Sequence, residues 1–192
     1  MIWSSPSKRW PDPQSWTPDG RTVIFTTSGK ETGSDIWTLS LDDRTARPWL
    51  EMPGAQWAGR LSPDGEWMAY NSDESGRDEV YVQPFPGPGA KRIVSQNGGY
   101  NPIWSKDGSE LFYRHGNEFH AVKIDTGSGF TAGKPVVMFE GSYRWSGRDY
   151  DVSEDGKRFV MMRNEVPRTT TKINVLLDWW QALETRLAGT RR

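Results

Sequence analysis

The sequence predicts an all-β protein: a partial β-propeller of about four four-stranded antiparallel blades with a short C-terminal helix. Three observations predict it. A turn ending in Asp-Gly returns four times, as Thr17-Pro18-Asp19-Gly20, Ser62-Pro63-Asp64-Gly65, Ser105-Lys106-Asp107-Gly108 and Ser153-Glu154-Asp155-Gly156. The aspartates are spaced by 45, 43 and 48 residues, a period in which each unit is one supersecondary block that cannot bury its own apolar face. An apolar residue stands three places before each aspartate (Trp16, Leu61, Trp104, Val152) and an apolar-aromatic run follows each turn. Asp tolerates the left-handed region and Gly adopts positive φ without steric cost, so Asp-Gly between apolar runs marks a hairpin.

Each hairpin leads through a second polar turn to another short strand, as in Ser34–Leu39 and Asp78–Val82. A fourth strand is expected at Ala46–Leu50, at Arg92–Val94 and at Val136–Phe139. Four short strands in a repeat of this length describe a propeller blade. The blades fall roughly at 5–50, 51–95, 96–140 and 141–178, within one partial propeller domain spanning 1–192. Leu176, Trp180, Leu183 and Leu187 follow helical spacing, and a C-terminal helix is expected over 178–188.

Composition agrees with thin sheets packed face to face through large aromatics and joined by tight turns: 11 Trp, 20 Gly and 13 Pro. A net charge of −1 gives no electrostatic reason to expect nucleic acid as a partner. No run approaches the roughly 20 apolar residues that a membrane span needs, and Met1–Pro6 lacks the basic start and apolar core of a signal peptide. A soluble protein without membrane insertion is expected, in a compartment the sequence does not name. The absence of cysteine excludes disulfides and thiolate chemistry.

The Ser-Pro-Asp-Gly turns, the strand Ser34-Asp35-Ile36-Trp37, and above all the segment Ser72-Asp73-Glu74-Ser75-Gly76-Arg77-Asp78-Glu79-Val80-Tyr81-Val82-Gln83-Pro84-Phe85-Pro86 resemble TolB-type β-propeller repeats. The variety they look like is the C-terminal propeller segment found behind bacterial serine/threonine kinase domains. The likeness extends over nearly the whole chain, including Phe130–Pro135 and Ile173–Trp179. Such propellers usually have six or more blades, on the order of 260 residues at about 43 each, so this chain of 192 looks like the last part of one. No kinase element is present: there is no glycine-rich nucleotide loop, His-Arg-Asp or Asp-Phe-Gly.

An open array leaves two apolar faces to be covered. The options are a four-bladed ring, two chains paired into an eight-bladed ring, or coverage by the C-terminal helix. A homodimer is the favoured expectation.

Ligands of a propeller sit where inner strands and loops converge on the axis. The segments before the inner strands place Tyr100, Asn101, Trp145, Arg148 and Tyr150 as candidate ligand-binding residues. Asp12, Asn101, Asp149 and Asp151 offer the oxygen ligands a hard cation prefers, and are also ordinary turn residues. Five residues apart across Gly116-Asn117, His115 and His120 can face each other over a hairpin and join a carboxylate to bind a transition metal, or one can act as a general base, while a His in a surface hairpin is more often only a polar turn neighbour; with Asp149 they are the candidate catalytic groups. Tyr143–Arg148 mixes aromatics and guanidinium groups, either as a binding hot spot or as a loop packed over the core. The acidic stretch Asp73–Glu79 lacks the alternate spacing of a calcium loop and reads as a solvated hairpin.

Two functions follow. The first is a non-enzymatic binding or scaffold module of TolB-like propeller type, with a protein or peptide partner and with self-association closing the ring. The second is a metal-dependent hydrolase of esters, lactones or phosphotriesters at the propeller axis. That reading requires a divalent metal, calcium or zinc, which activates water. The absence of a Gly-x-Ser-x-Gly elbow, a His-Glu-x-x-His helix or a phosphate loop favours the first.

Overall fold

The computed structural model describes residues 11–29, 32–144, 150–163 and 173–176, the last as backbone. Four antiparallel sheets follow one another along the chain. The first holds β1 (Asp12–Trp16), β2 (Thr22–Ser28), β3 (Ser34–Ser40) and β4 (Ala46–Leu50) in sequential order. The second repeats that order with β5 (Gln56–Leu61), β6 (Trp67–Ser72), β7 (Glu79–Pro84) and β8 (Arg92–Ile93). The third contains β9 (Tyr100–Trp104), β10 (Glu110–His115), β11 (Glu118–Asp125), β12 (Thr131–Ala132) and β13 (Val136–Glu140). Here the outer position is divided: β12 pairs with Ile124 and Asp125, while β13 pairs with Glu118–Ala121 on the same strand. The fourth sheet has three described strands, β14 (Tyr150–Val152), β15 (Phe159–Met162) and β16 (Ile173–Leu176).

The recurrent turn is held by one bonding scheme in all four places. A Ser or Thr hydroxyl donates to the aspartate carboxylate: Thr17 to Asp19 at 2.6 Å, Ser62 to Asp64, Ser105 to Asp107 at 2.7 Å, and Ser153 to Asp155. The carboxylate also accepts the backbone N–H two residues on, from Arg21, Glu66, Ser109 and Lys157. The hydroxyl oxygen accepts the N–H five residues on, from Thr22, Trp67, Glu110 and Arg158. Gly20, Gly65, Gly108 and Gly156 close the turns at φ between 69° and 76°. Pro18 of one turn sits where a side chain on Gly65 of the next would clash, and Lys106 pairs with Glu154 at 2.6 Å, so successive turns lie side by side.

Strand alternation gives the middle sheets two buried faces. On β6, Met68 and Tyr70 pack toward the first sheet with Ile24, Ile36 and Tyr81, while Ala69 packs toward the third with Val80, Val82, Leu111 and Tyr113. On β10 the next residue over, Phe112, joins Phe119, Met138, Tyr150, Phe159 and Met161 against the fourth sheet. The three apolar clusters are therefore the three interfaces between sheets. Each fully buried large side chain in them contributes about 1.5–3 kcal/mol of transfer free energy. The third interface is the most aromatic, with Phe112 edge-on to Phe159 at 5.2 Å and Phe119 stacked on Phe139 at 4.7 Å.

Polar bonds tie the second sheet to the third and the third to the fourth. Asn71 lies fully buried on β6, donates to the Gly99 carbonyl at 2.8 Å and accepts the Asn101 N–H at 2.8 Å, holding both sides of the entry to β9. Trp104 Nε1 donates to the Arg60 carbonyl at 3.0 Å, and the Tyr150 hydroxyl donates to the Asn101 carbonyl at 2.6 Å.

Two expectations need correction or limits. The acidic stretch does form the β6–β7 hairpin, but Glu79 is buried, paired with Arg77 at 2.7 Å and accepting from the Ser95 hydroxyl, rather than solvated. Leu176, placed in the helical stripe, ends strand β16; the expected helix over 178–188 lies outside the described residues. No helix occurs among the described residues.

The hydroxyl bonds, and after them the backbone N–H bonds, hold Asp19, Asp107 and Asp155 below the ordinary carboxylate pKa. A folded pKa below the unfolded value of about 3.9 adds stability above that value, which is lost as the pH falls through the folded pKa. Asp107→Ala is accordingly expected to cost about 1 kcal/mol near neutral pH in urea unfolding. The gap from wild type should close as both are taken to about pH 2. A gap of the same size at both pH values contradicts this role.

Candidate functional site

The inner strands β1, β5, β9 and β14 line the axis, and three of them carry an irregularity at the same place. Register shifts fall between Pro13 and Ser15, between Trp57 and Arg60, and opposite Phe112 and Arg114 in β9. Ala58 and Asn101, each six residues before its turn aspartate, take φ of 54° and 56°. A bulge with a left-handed residue bends a strand and re-aims its side chains. For a non-glycine residue that conformation costs roughly 1–2 kcal/mol, less for Asn, so the surrounding sheets must hold it in place.

Two cavities lie against these strands. The larger, of about 1140 Å³, draws on every sheet: Pro18 from the first, Arg60 and Leu61 from the second, Trp104 and Lys106 from the third, and Asp151, Val160 and Met162 from the fourth. Its wall is chiefly apolar, with one carboxylate and two cations. The smaller, of about 60 Å³, is lined by Asp12, Thr26, Trp57, Ala58, Asn101 and Pro102 among others. Arg60, Ile103 and Tyr150 border both. Arg60 is anchored by donating Nη1 to the Gln14 carbonyl of the first sheet.

The sequence candidates are divided among these places. Asp12 and Asn101 meet in the small cavity, where Asp12 accepts from Gln14 Nε2 at 2.7 Å. Asp151 lines the larger one and accepts its neighbour Val152 N–H at 2.9 Å. Tyr150 spans the two, with its hydroxyl held on β9. Tyr100 instead leans away, donating to the Gly116 carbonyl at 3.0 Å beneath the Arg114 guanidinium, 5.5 Å from its ring. Tyr143 packs edge-on to Phe119 at 5.4 Å, as a loop over the core would. Trp145, Arg148 and Asp149 lie outside the described residues.

Arg114 is a structural finding the sequence did not signal. It is buried between the rings of Tyr100 and Phe119 and donates Nη1 to the Arg144 carbonyl at 3.0 Å, tying the third sheet to the segment leading to the fourth. A basic residue on an apolar strand reads as an outward position unless the next blade's carbonyls are known.

His115 and His120 do face each other across the hairpin, with ring centroids 6.2 Å apart. Glu118, unmarked in the sequence reading, stands directly opposite His115 in the register, and its Oε2 lies 3.0 Å from His120 Nε2. His120 stacks on Tyr113 with centroids at 4.9 Å and planes 5° apart. Burial lowers the His120 pKa, against the opposing pull of the Glu118 hydrogen bond, which favours a neutral ring near pH 7. Burial likewise pushes the Tyr113 phenol up to about 12.

This architecture matches known proteins. Residues 11–133 match the sequence model of the TolB beta propeller domain. The Tol-Pal system protein TolB of Anaeromyxobacter dehalogenans (strain 2CP-C) is 35% identical over 91 residues, which are 47% of this chain and 20% of that protein. The crystal structure of TolB from Acinetobacter baumannii superposes with a TM-score of 0.70 at 20% identity, over 92% of this chain and 42% of that one. A puromycin-hydrolyzing peptidase of Mycobacterium tuberculosis superposes at 0.63 and 18% identity, over 90% of this chain and 30% of that one. The chain thus spans about a fifth of the length of the curated relatives it matches, and the low-identity structures speak for the fold alone. With four successive Asp-Gly blades, the stacked sheets and a family match over most of its length, the chain belongs to the TolB beta-propeller domain family.

Proposed function

We propose that this protein is a non-enzymatic binding module that receives an extended peptide or a protein loop in the axial cleft. The observation that carries the reading is the cleft itself, about 1140 Å³ in volume and lined by side chains from all four sheets. Small-molecule pockets enclose most of their ligand, whereas this cleft stands open to solvent, a shape that admits an extended segment. Leu61, Val160 and Met162 offer apolar contact, while Arg60, Lys106 and Asp151 offer charge at its border, the mixture that holds a protein segment. Similarity to Tol-Pal TolB proteins, components of a protein assembly by name, supports a protein partner.

A panel of twelve-residue peptides displayed on phage and selected on the immobilised full chain tests this. Selected peptides should lose about tenfold or more in affinity on Lys106→Glu or Met162→Asp, each expected to leave folding unchanged, since a charge placed in a contact surface costs at least about 1.4 kcal/mol. Failure to enrich any peptide, or equal binding to both variants, overturns the cleft as the binding site.

Self-association extends the reading. Trp104 is 7% exposed because it packs on the preceding sheet, whereas Trp16, its counterpart in the first repeat, is 59% exposed. Val160 occupies the place of Ile24, Ala69 and Phe112, which face the following sheet and are fully buried, yet it is 48% exposed. A second copy can set its Val160 face against Trp16, with the Asp151 carbonyl in the role that the Arg60 carbonyl plays for Trp104. Light scattering is then expected to give about twice the 21.9 kDa chain mass, and Trp16→Ser to return the protein to a monomer. Because Val160 and Asp151 also line the cleft, a second copy and a peptide compete for that wall; a wild-type monomer at high micromolar concentration rules the pairing out and leaves the wall to the peptide.

A further inference from the structure

We propose that His115, Glu118 and His120 form a binding site for a divalent transition metal of the zinc class at the tip of the β10–β11 hairpin. The argument begins with register. In this antiparallel pair His115 opposes Glu118, and Tyr113 opposes His120. Directly opposed residues share a face, as do residues two apart on one strand, so His115, Glu118 and His120 all project from the same face. The two-residue Gly116-Asn117 turn, with Gly116 at φ 58°, brings the three together at the end of the hairpin.

The side chains complete what the backbone sets up. One ligand atom from each of the three lies within 4.8 Å of the others, and among the described residues this is the only such set of three His, Asp or Glu groups. Ligands about 2.0–2.1 Å from a tetrahedral ion stand about 3.4 Å apart. Glu118 Oε2 and His120 Nε2 are already at 3.0 Å, so closure needs an adjustment of the partly exposed His115 ring only. Stacking on Tyr113 fixes the plane of His120.

The donor set selects the ion. Two imidazoles and a carboxylate suit zinc, nickel or copper and leave a fourth position for water or a partner's side chain; calcium and magnesium require oxygen cages that are not assembled here. His120 Nδ1 has no hydrogen-bond partner among the described atoms. Metal-binding histidines ordinarily orient that second nitrogen with an acceptor, whose loss weakens binding by about 10- to 100-fold. The site is therefore a moderate-affinity one, and it stands apart from the axial cleft and from the peptide-binding reading.

The test is titration of the untagged full chain with cobalt(II), read by its visible d–d absorption, and with zinc(II) by calorimetry. The wild type should take up one equivalent, with a rise in melting temperature on zinc addition. His115→Ala should weaken uptake about tenfold or more, and Glu118→Gln should weaken it too while leaving circular dichroism unchanged. Both residues lie at the hairpin tip outside the apolar clusters, so folding does not confound the readout. Absence of uptake by the wild type, or equal uptake by wild type and His115→Ala, overturns the site.

Discussion

A four-stranded sheet of this composition has two apolar faces and cannot exist alone in water. In this chain every inner arrangement answers that constraint: the sheets stack so that the face of one covers the next, and the three apolar clusters are three shared boundaries. Apolar contact alone would let the sheets slide. Asn71, Trp104 and Tyr150 prevent it by bonding side chains to backbone groups of the adjacent inner strand. Those of Asn71 and Tyr150 are buried, so breaking one strands a polar group away from water at about 1–3 kcal/mol.

The parts of this design that are local in chain were legible in the sequence. Asp-Gly turns and their alternating flanks placed β2, β6, β10 and β15 because one bonding scheme, repeated four times, depends on residues within five positions of each other. The expected fourth strands at Ala46–Leu50 and Val136–Phe139 also appear; Val136-Val137-Met138-Phe139 has the β-branched and aromatic character of a strand, whereas Ala46–Leu50 owes its place to the repeat. What depends on the neighbouring blade was not legible. Arg114, Asn71 and Glu79 all look like outward or solvated residues in sequence, yet each is buried against groups supplied by another strand or sheet. The bulges of β5 and β9 were equally hidden, because Ala58 has no turn preference and takes a left-handed conformation under constraint from its surroundings.

The candidate sites show the same division. Histidines five apart across Gly-Asn suggested a facing pair, a matter of hairpin geometry, whereas the third member, Glu118, emerges from register. Asp12, Asn101 and Asp151 were grouped by their common place in the repeat, and the structure distributes them over two cavities joined by Tyr150 and Arg60. The cleft carries mixed charge on an apolar wall, which suits recognition, while the hairpin tip carries a compact donor set, which suits an ion. Placing the two on separate surfaces allows them to be tested independently.

Native-state hydrogen exchange tests the stacking account most directly. If shared faces hold the sheets, the slowest amides of β2, β6 and β10 should exchange with one common opening free energy, because uncovering any one face exposes its neighbour. Exchange of the first sheet at a much lower free energy than the second and third, with those two unaffected, would show sheets stable on their own and would contradict the account.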